Sequence, residues 1–173
     1  MRSLTFWKTI TVDKSNLLER LIALFSDHAI RYCVIDGQAI NAYVEPLIDR
    51  NLDLVVAVDQ MSQVESLLAN EFKIERFPHS VNVSLVGSDL RVQIQTDPRY
   101  ADFVKRSTRR NVLGLELPVA SMEDLLRGKI WAAQDSTRRG SKRQKDLADI
   151  ARLLEAYPDL RVQVPAEILA RLV

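Results

Sequence analysis

The sequence predicts an α/β (α+β) fold: a mixed sheet of about four to six strands, with helices packed on it and further helices closing its C-terminal side. Three observations carry this. Short runs of strand formers alternate with helical patterns in the first seventy residues. Two central segments alternate apolar and polar residues around a Gly-Ser pair. From residue 121 onward the apolar residues recur at helical spacing.

The elements follow in order. After Asp13, placed to cap a helix, Leu17, Leu18, Leu21, Leu24 and Phe25 recur at helical spacing, and the pattern fades between His28 and Ile30. Tyr32–Ile35 is too short for a helix and rich in strand formers. It stops at Asp36-Gly37, after which Gln38 to Val44 reads as a short helix closed by Pro46. Leu52 to Val58 is apolar except for Asp53 and Asp-free thereafter, as expected of a central strand buried on both faces. Asp59 is placed to cap a helix in which Met61, Val64, Leu67 and Leu68 share a face, ending near Phe72.

Val81, Val83 and Leu85 alternate with Asn82 and Ser84. A Gly87-Ser88 turn follows, and Leu90, Val92 and Ile94 then alternate with Arg91, Gln93 and Gln95, so a hairpin is expected. Pro98 opens a short helix carrying Tyr100, Phe103 and Val104, and Leu115 to Val119 reads as a strand. Ser121 with Asp124 resembles a capping box for a helix striped by Met122, Leu125, Leu126, Ile130 and Ala133. A further helix buries Leu147, Ile150, Ala151 and Leu154, and a last short one follows Pro165. Trp7 and Trp131 read as packing residues. No repeat or low-complexity linker interrupts residues 1–173, so a single domain is expected, with a core at about 30–97 and a helical part at about 121–173.

Composition narrows the function. The 173 residues are 47% hydrophobic and 27% charged, the usage of a globular chain with enough length for a core. Lys and Arg number 24 against 23 Asp and Glu, a formal net charge of +1, which excludes a globally basic nucleic-acid binder. The single cysteine, Cys33, lies in an apolar run and forms no internal disulfide, which reads as a buried thiol in a reducing compartment. No signal-peptide pattern opens the chain and no apolar run is long enough to cross a bilayer, so a soluble, cytoplasmic protein without membrane contact is expected.

The sequence holds no phosphate loop, dinucleotide fingerprint, zinc-protease motif or nucleophile elbow. Its two histidines, His28 and His79, and one cysteine have no metal-cage spacing and read as surface or helix-end residues and a core thiol.

One pattern does carry chemistry. Val34-Ile35-Asp36-Gly37-Gln38-Ala39 is followed by Asn51-Leu52-Asp53-Leu54-Val55-Val56, then by Arg91 to Asp97, by Val119 to Leu126 with Lys129, and by Ser141 to Ile150. Over most of residues 30–155 this order resembles the nucleotidyltransferase superfamily of polymerase β-like fold, in particular its small bacterial AbiEii-toxin-like branch. In that superfamily a strand ends in a glycine turn, a short helix follows, and the next strand bears Asp-x-Asp. Residues two apart on a strand share a face, so two carboxylates there hold divalent cations about 3.5 to 4 Å apart that bridge the phosphates and the attacking hydroxyl.

The resemblance implies a nucleotidyltransferase-like sheet, an NTP substrate and Mg²⁺. It implies transfer of a nucleotidyl group to an acceptor hydroxyl, with an RNA or protein acceptor and an antitoxin-like partner. It assigns catalytic positions to Asn51, Asp53 and Gln93, the metal to Asp53, and nucleotide contacts to Gly37, Gln38, Lys129, Arg143 and Lys145. The sequence also departs from the pattern. Asp36 stands where the turn has its first glycine, and Asn51 and Gln93 stand where two of three carboxylates are expected. A neutral amide is a weak Mg²⁺ ligand, so the alternative is a catalytically degenerate fold, a pseudoenzyme that binds nucleotide, RNA or protein. Asp36 and Asp49 are the acids placed to substitute.

Each signal has a plainer reading beside it. Asp53 reads as a metal ligand or as a buried acid satisfied by a backbone amide or Lys129. Gly37 reads as a close approach to phosphate or as a turn of positive φ, and Gln93 and Gln95 as ligands or as the polar face of a hairpin. The cluster Arg138, Arg139, Lys142, Arg143 and Lys145 reads as a triphosphate or nucleic-acid surface or as a solvated helix approach, in which Lys145 pairs with Asp149.

Overall fold

A computed structural model of the chain describes residues 16–172. The expectations placed on Asp13 and Trp7 fall outside the described residues. In chain order the structure holds α1 (Leu17–Asp27), β1 (Tyr32–Ile35), α2 (Asp36–Ile40), β2 (Asn51–Val56), a 3₁₀ turn (Val58–Gln60) running into α3 (Met61–Glu71), β3 (Lys73–Phe77), β4 (Ser80–Ser84) and β5 (Arg91–Gln95). A 3₁₀ helix (Pro98–Phe103), β6 (Thr108–Val112), β7 (Leu115–Val119), α4 (Met122–Gln134), α5 (Gly140–Ala156), another 3₁₀ segment (Pro158–Gln163) and α6 (Ala166–Leu169) complete it.

The strands form one seven-stranded mixed sheet in the order β3-β4-β5-β2-β1-β7-β6. β2 runs antiparallel to β1 and parallel to β5, which sets Asp53 opposite both Ile35 and Gln93. The apolar runs of the sequence account for the centre. Val34, Leu52, Leu54 and Ile94 are fully buried and join Leu17, Leu18 and Leu21 of α1 in one core. Cys33 is buried there too, and desolvation, with Asp124 adding to it, pushes its thiol pKa up to about 12. Among the described residues, no helix is long and apolar enough to cross a membrane.

Seven strands exceed the four to six expected, because β3 and β6 carry no apolar alternation. Every residue of β3 except Ile74 is exposed, as are Thr108 to Asn111 of β6. These two edges are strands by pairing alone, and their charged side chains discourage further pairing with another chain. Leu113 and Gly114, both at positive φ (54° and 86°), make the tight β6–β7 turn whose twist matches a hairpin.

Two helix starts also differ from expectation. Asp36 and Gly37 are the first turn of α2 rather than a turn before it, and after Ile40 the chain continues in turns to Val44. Asp59 caps nothing: it lies in the 3₁₀ turn before α3 and pairs with Arg31 at 2.6 Å. The other expected helices stand, with Ser121 accepting the Asp124 N–H at the start of α4. In α5, Ala151 is half-exposed and the buried face runs through Leu147, Ile150, Leu153 and Leu154.

Truncating Leu54, fully buried in the centre of β2, should cost about 2–5 kcal/mol. In urea, Leu54→Ala is expected to lower the unfolding midpoint at unchanged slope; a loss below about 1 kcal/mol would contradict this packing.

Candidate functional site

A cleft of about 220 Å³ opens where β1 ends and β2 begins. Its floor is the polar face of the sheet. Residues two apart on a strand share that face, so Asn51 and Asp53 point into it beside Gln93 and Gln95 of β5, with Asp49 just before β2. Leu125, Gly128, Lys129 and Ala132 of α4 form one wall, and Arg138 with Lys142, Lys145 and Asp146 at the start of α5 forms the other. Tyr100 and Phe103 close the apolar end against Trp131, Phe103 stacked on its ring and Tyr100 edge-on to it, in the packing role expected of Trp131.

Of the residues singled out in the sequence, Asn51, Asp53, Gln93, Lys129 and Lys145 line this cleft. Gly37, Gln38 and Arg143 do not. Gln38 is 4% exposed and turns inward, where its Nε2 donates to the Asp49 carbonyl at 2.7 Å, as a buried amide must. Gly37 sits inside α2, and the left-handed φ of 63° belongs to its neighbour Asp36. Gly37 makes a close approach rather than a turn: a Cβ there would run into the Asp49 carboxylate and displace it. Arg143 is half-buried on α5, and its Nε has no hydrogen-bond partner among the described residues.

Beside the cleft, the Lys129 ammonium is buried among three carboxylates. It pairs with Asp36, with Asp149 at 2.9 Å and with Asp146 at 3.2 Å. Asp146 also receives Arg138 (2.6 Å), and Asp149 receives Arg152 (3.0 Å). Arg152 in turn donates to Asn41 Oδ1 and the Glu45 carbonyl, both at 2.9 Å, fastening the loop between α2 and β2. Burial alone would lower the pKa of Lys129, but its three carboxylates outweigh it and hold the ammonium above its usual range. Burial likewise works against the Asp36 carboxylate; Lys129, with Lys145 and Arg138, reverses this and holds it below the usual value.

Asp53 is in the opposite position. It is half-buried, and no hydrogen bond or ion pair reaches its carboxylate from the described residues. Burial, then the like charges of Asp36 and Asp49, push its pKa well above the usual carboxylate range, against the pull of Lys129 and Lys145. Lys129 therefore satisfies Asp36, Asp146 and Asp149 rather than Asp53. Among the described residues, no group of three or more His, Cys, Asp and Glu is placed to hold a metal ion.

The basic residues divide by partner. In the run from Lys105 to Arg110, Arg106 pairs with buried Asp124 at 2.8 Å and Arg110 lies over the Tyr43 ring at 4.0 Å, so much of it is structural. In the later cluster, Lys142 and Lys145 line the cleft, and the expected Lys145–Asp149 pair does not form because Asp149 turns to Lys129 and Arg152. The sequence reasoning missed Asp146 and Asp149 as members of the site. Their signal was present: they sit three apart, within the face that Leu147, Ile150 and Leu153 bury.

Replacing Lys129 by Met would leave buried Asp146 and Asp149 and half-buried Asp36 without their shared cation, at a cost of about 3–5 kcal/mol. Without the ammonium, the burial that Lys129 outweighs at Asp36 raises the folded-state pKa of that acid above the unfolded value, so the variant binds more protons folded than unfolded. Its deficit against the wild type should therefore shrink as pH falls from 7 to 5. Urea midpoints at the two pH values check this; a deficit independent of pH would show that the carboxylates carry no strain.

Comparisons with known proteins agree with this architecture. The model of the family described as "Nucleotidyl transferase AbiEii toxin, Type IV TA system" matches residues 12–172. Comparison with curated proteins returns no match. Among solved structures, the fold is similar to that of ANT(2")-Ia in complex with adenylyl-2"-tobramycin, at 12% identity and a TM-score of 0.63, covering 91% of this chain and 97% of that one. It is similar to the lincosamide antibiotic adenylyltransferase LnuA, at 13% identity and a TM-score of 0.55, covering 83% and 99%. An antigenic nucleotidyltransferase-like protein from Paracoccidioides brasiliensis shares 18% identity and a TM-score of 0.51, covering 84% and 78%. At such identities the likeness is one of fold. The family match spans nearly the whole chain, both motif strands and the Lys-Asp-x-x-Asp helix included, and the chain belongs to the AbiEii nucleotidyl transferase toxin family.

Proposed function

We propose that the cleft binds a nucleoside triphosphate and transfers its nucleotidyl group to an acceptor hydroxyl. The observation that carries this is Asp53, a half-buried carboxylate crowded by like charge and given no partner among the described residues. Structural aspartates in such surroundings are paired, as Asp36, Asp124 and Asp146 are here. An unpartnered one in the floor of a cleft is a place for a cation-bearing ligand.

In the transfer, the acceptor oxygen bonds to the α-phosphorus, the bond from that phosphorus to the bridging oxygen of the β-phosphate breaks, and pyrophosphate leaves with the electron pair. The hydroxyl proton goes to solvent. Lys142 and Lys145 offset the negative charge of the triphosphate from the α5 wall, and Lys129 keeps that wall against α2. The chemistry of the donors fits one Mg²⁺, which Asp53 would hold. When bound, the ion neutralises charge on the transferring phosphoryl. Asn51 and Gln93 would present only amide oxygens beside it. The acceptor, RNA or protein, would approach past Lys142, which is exposed on the cleft wall. Family membership supports a toxin acting in the reducing cytoplasm under the control of an antitoxin.

The two amides also favour a second reading, a catalytically degenerate module that binds nucleotide, RNA or protein. Calorimetric titration of wild type and Asp53→Ala with each of the four NTPs, with and without Mg²⁺, separates the two. It would be coupled to transfer of α-labelled nucleotide to RNA and protein. Mg²⁺-dependent binding with label transfer, both weakened roughly tenfold or more in the variant, is the expected result. Transfer that survives Asp53→Ala would overturn this mechanism, and silence with every NTP would leave the second reading.

A further inference from the structure

We infer that Asp49 supplies the second carboxylate of the site, standing in for the acid that Asn51 lacks. The inference rests on the transferase reading above. Five aspartates line the cleft, and three of them are neutralised: Asp36 and Asp146 by Lys129, Asp124 by Arg106 and Arg127. Asp49 and Asp53 are the two that no cation of the described residues pairs.

Asp49 is also held in place by three neighbouring residues. Its Oδ1 accepts the Asn51 N–H at 2.9 Å. Its backbone carbonyl accepts from buried Gln38 at 2.7 Å. Its other carboxylate oxygen fills the space where a Cβ of residue 37 would stand, so any larger residue there would push the carboxylate aside. Gly37 and Gln38, which the motif suggested as phosphate contacts, are thus positioning residues for Asp49. Asp49 stands two residues before Asn51 and lines the same cleft, so its carboxylate replaces at the cleft floor the charge that Asn51 withholds. The pair Asp49 and Asp53 then gives a Mg²⁺ ion two anionic oxygens from the protein, the number such ions commonly take beside substrate phosphates.

The test uses Mn²⁺ as the probe, followed by its electron paramagnetic resonance signal with and without each NTP, together with label transfer. Asp49→Asn keeps an oxygen that accepts the Asn51 N–H, so its urea midpoint should stay near that of the wild type. Its Mn²⁺ affinity and its transfer rate should each fall at least about tenfold, as in Asp53→Asn. The swap Asp49→Asn with Asn51→Asp should recover Mn²⁺ binding. Gly37→Ala, which displaces Asp49 without altering charge, should weaken Mn²⁺ binding too and serves if Asp49→Asn does not fold. Wild-type Mn²⁺ binding and transfer in Asp49→Asn, with both lost in Asp53→Asn, would overturn the role of Asp49 and leave the transferase reading intact. A swap variant no better than Asp49→Asn would overturn the substitution for position 51. A wild type that binds neither Mn²⁺ nor any NTP would overturn both readings together.

Discussion

One buried ammonium organises this protein. Lys129 comes from α4, while its three carboxylates come from the start of α2 and from two positions on α5. A charge removed from water is tolerated only when its partners are placed to satisfy it, so the three helices can meet in few arrangements other than this one. The consequence reaches the sheet. α2 follows β1 directly, and the loop from α2 to β2 is fastened by Arg152, itself held by Asp149. The ends of β1 and β2 that frame the cleft are therefore tied to a single electrostatic cluster.

The same cluster divides the acids of the cleft into two kinds. Those within reach of Lys129, Arg106 or Arg138 are neutralised and serve the fold. Asp49 and Asp53 are left facing open volume with their charges close enough to raise the pKa of Asp53. A protein gains no stability from leaving two like charges so, and this is the ground on which the transferase proposal places a compensating ligand there. The cations on the opposite wall, Lys142 and Lys145, face the same volume, so the cleft presents both signs of charge.

Asp36 shows how a departure from the family pattern can be absorbed. It occupies a left-handed backbone position that glycine adopts without cost, at an expense of about 1 kcal/mol or somewhat more for another residue. Its carboxylate gives Lys129 a third anionic neighbour in return. Position 36 therefore exchanges backbone freedom at the end of β1 for charge compensation between helices.

Much of this was legible in the chain. Apolar alternation and helical spacing marked β1, β2, β4, β5, β7 and the long helices, because burial leaves a period in the sequence. The strand bearing Asn51 and Asp53 and its neighbour bearing Gln93 placed the floor of the cleft. β3 and β6 were not legible, since an exposed edge strand is defined by the partner it pairs with and has no buried face to announce it. Nor were the contacts of Gly37 and Gln38: a motif names residues, but only the folded chain shows the Asp49 carboxylate against Gly37 and the Gln38 amide turned inward to the Asp49 carbonyl. What the sequence determined by itself is the order of elements and the residue types that reach the cleft, both local properties of spacing. The tertiary structure decided which charges are paired. Pairing joins residues as distant in the chain as Asp36, Lys129 and Asp149, and no local pattern records such a choice.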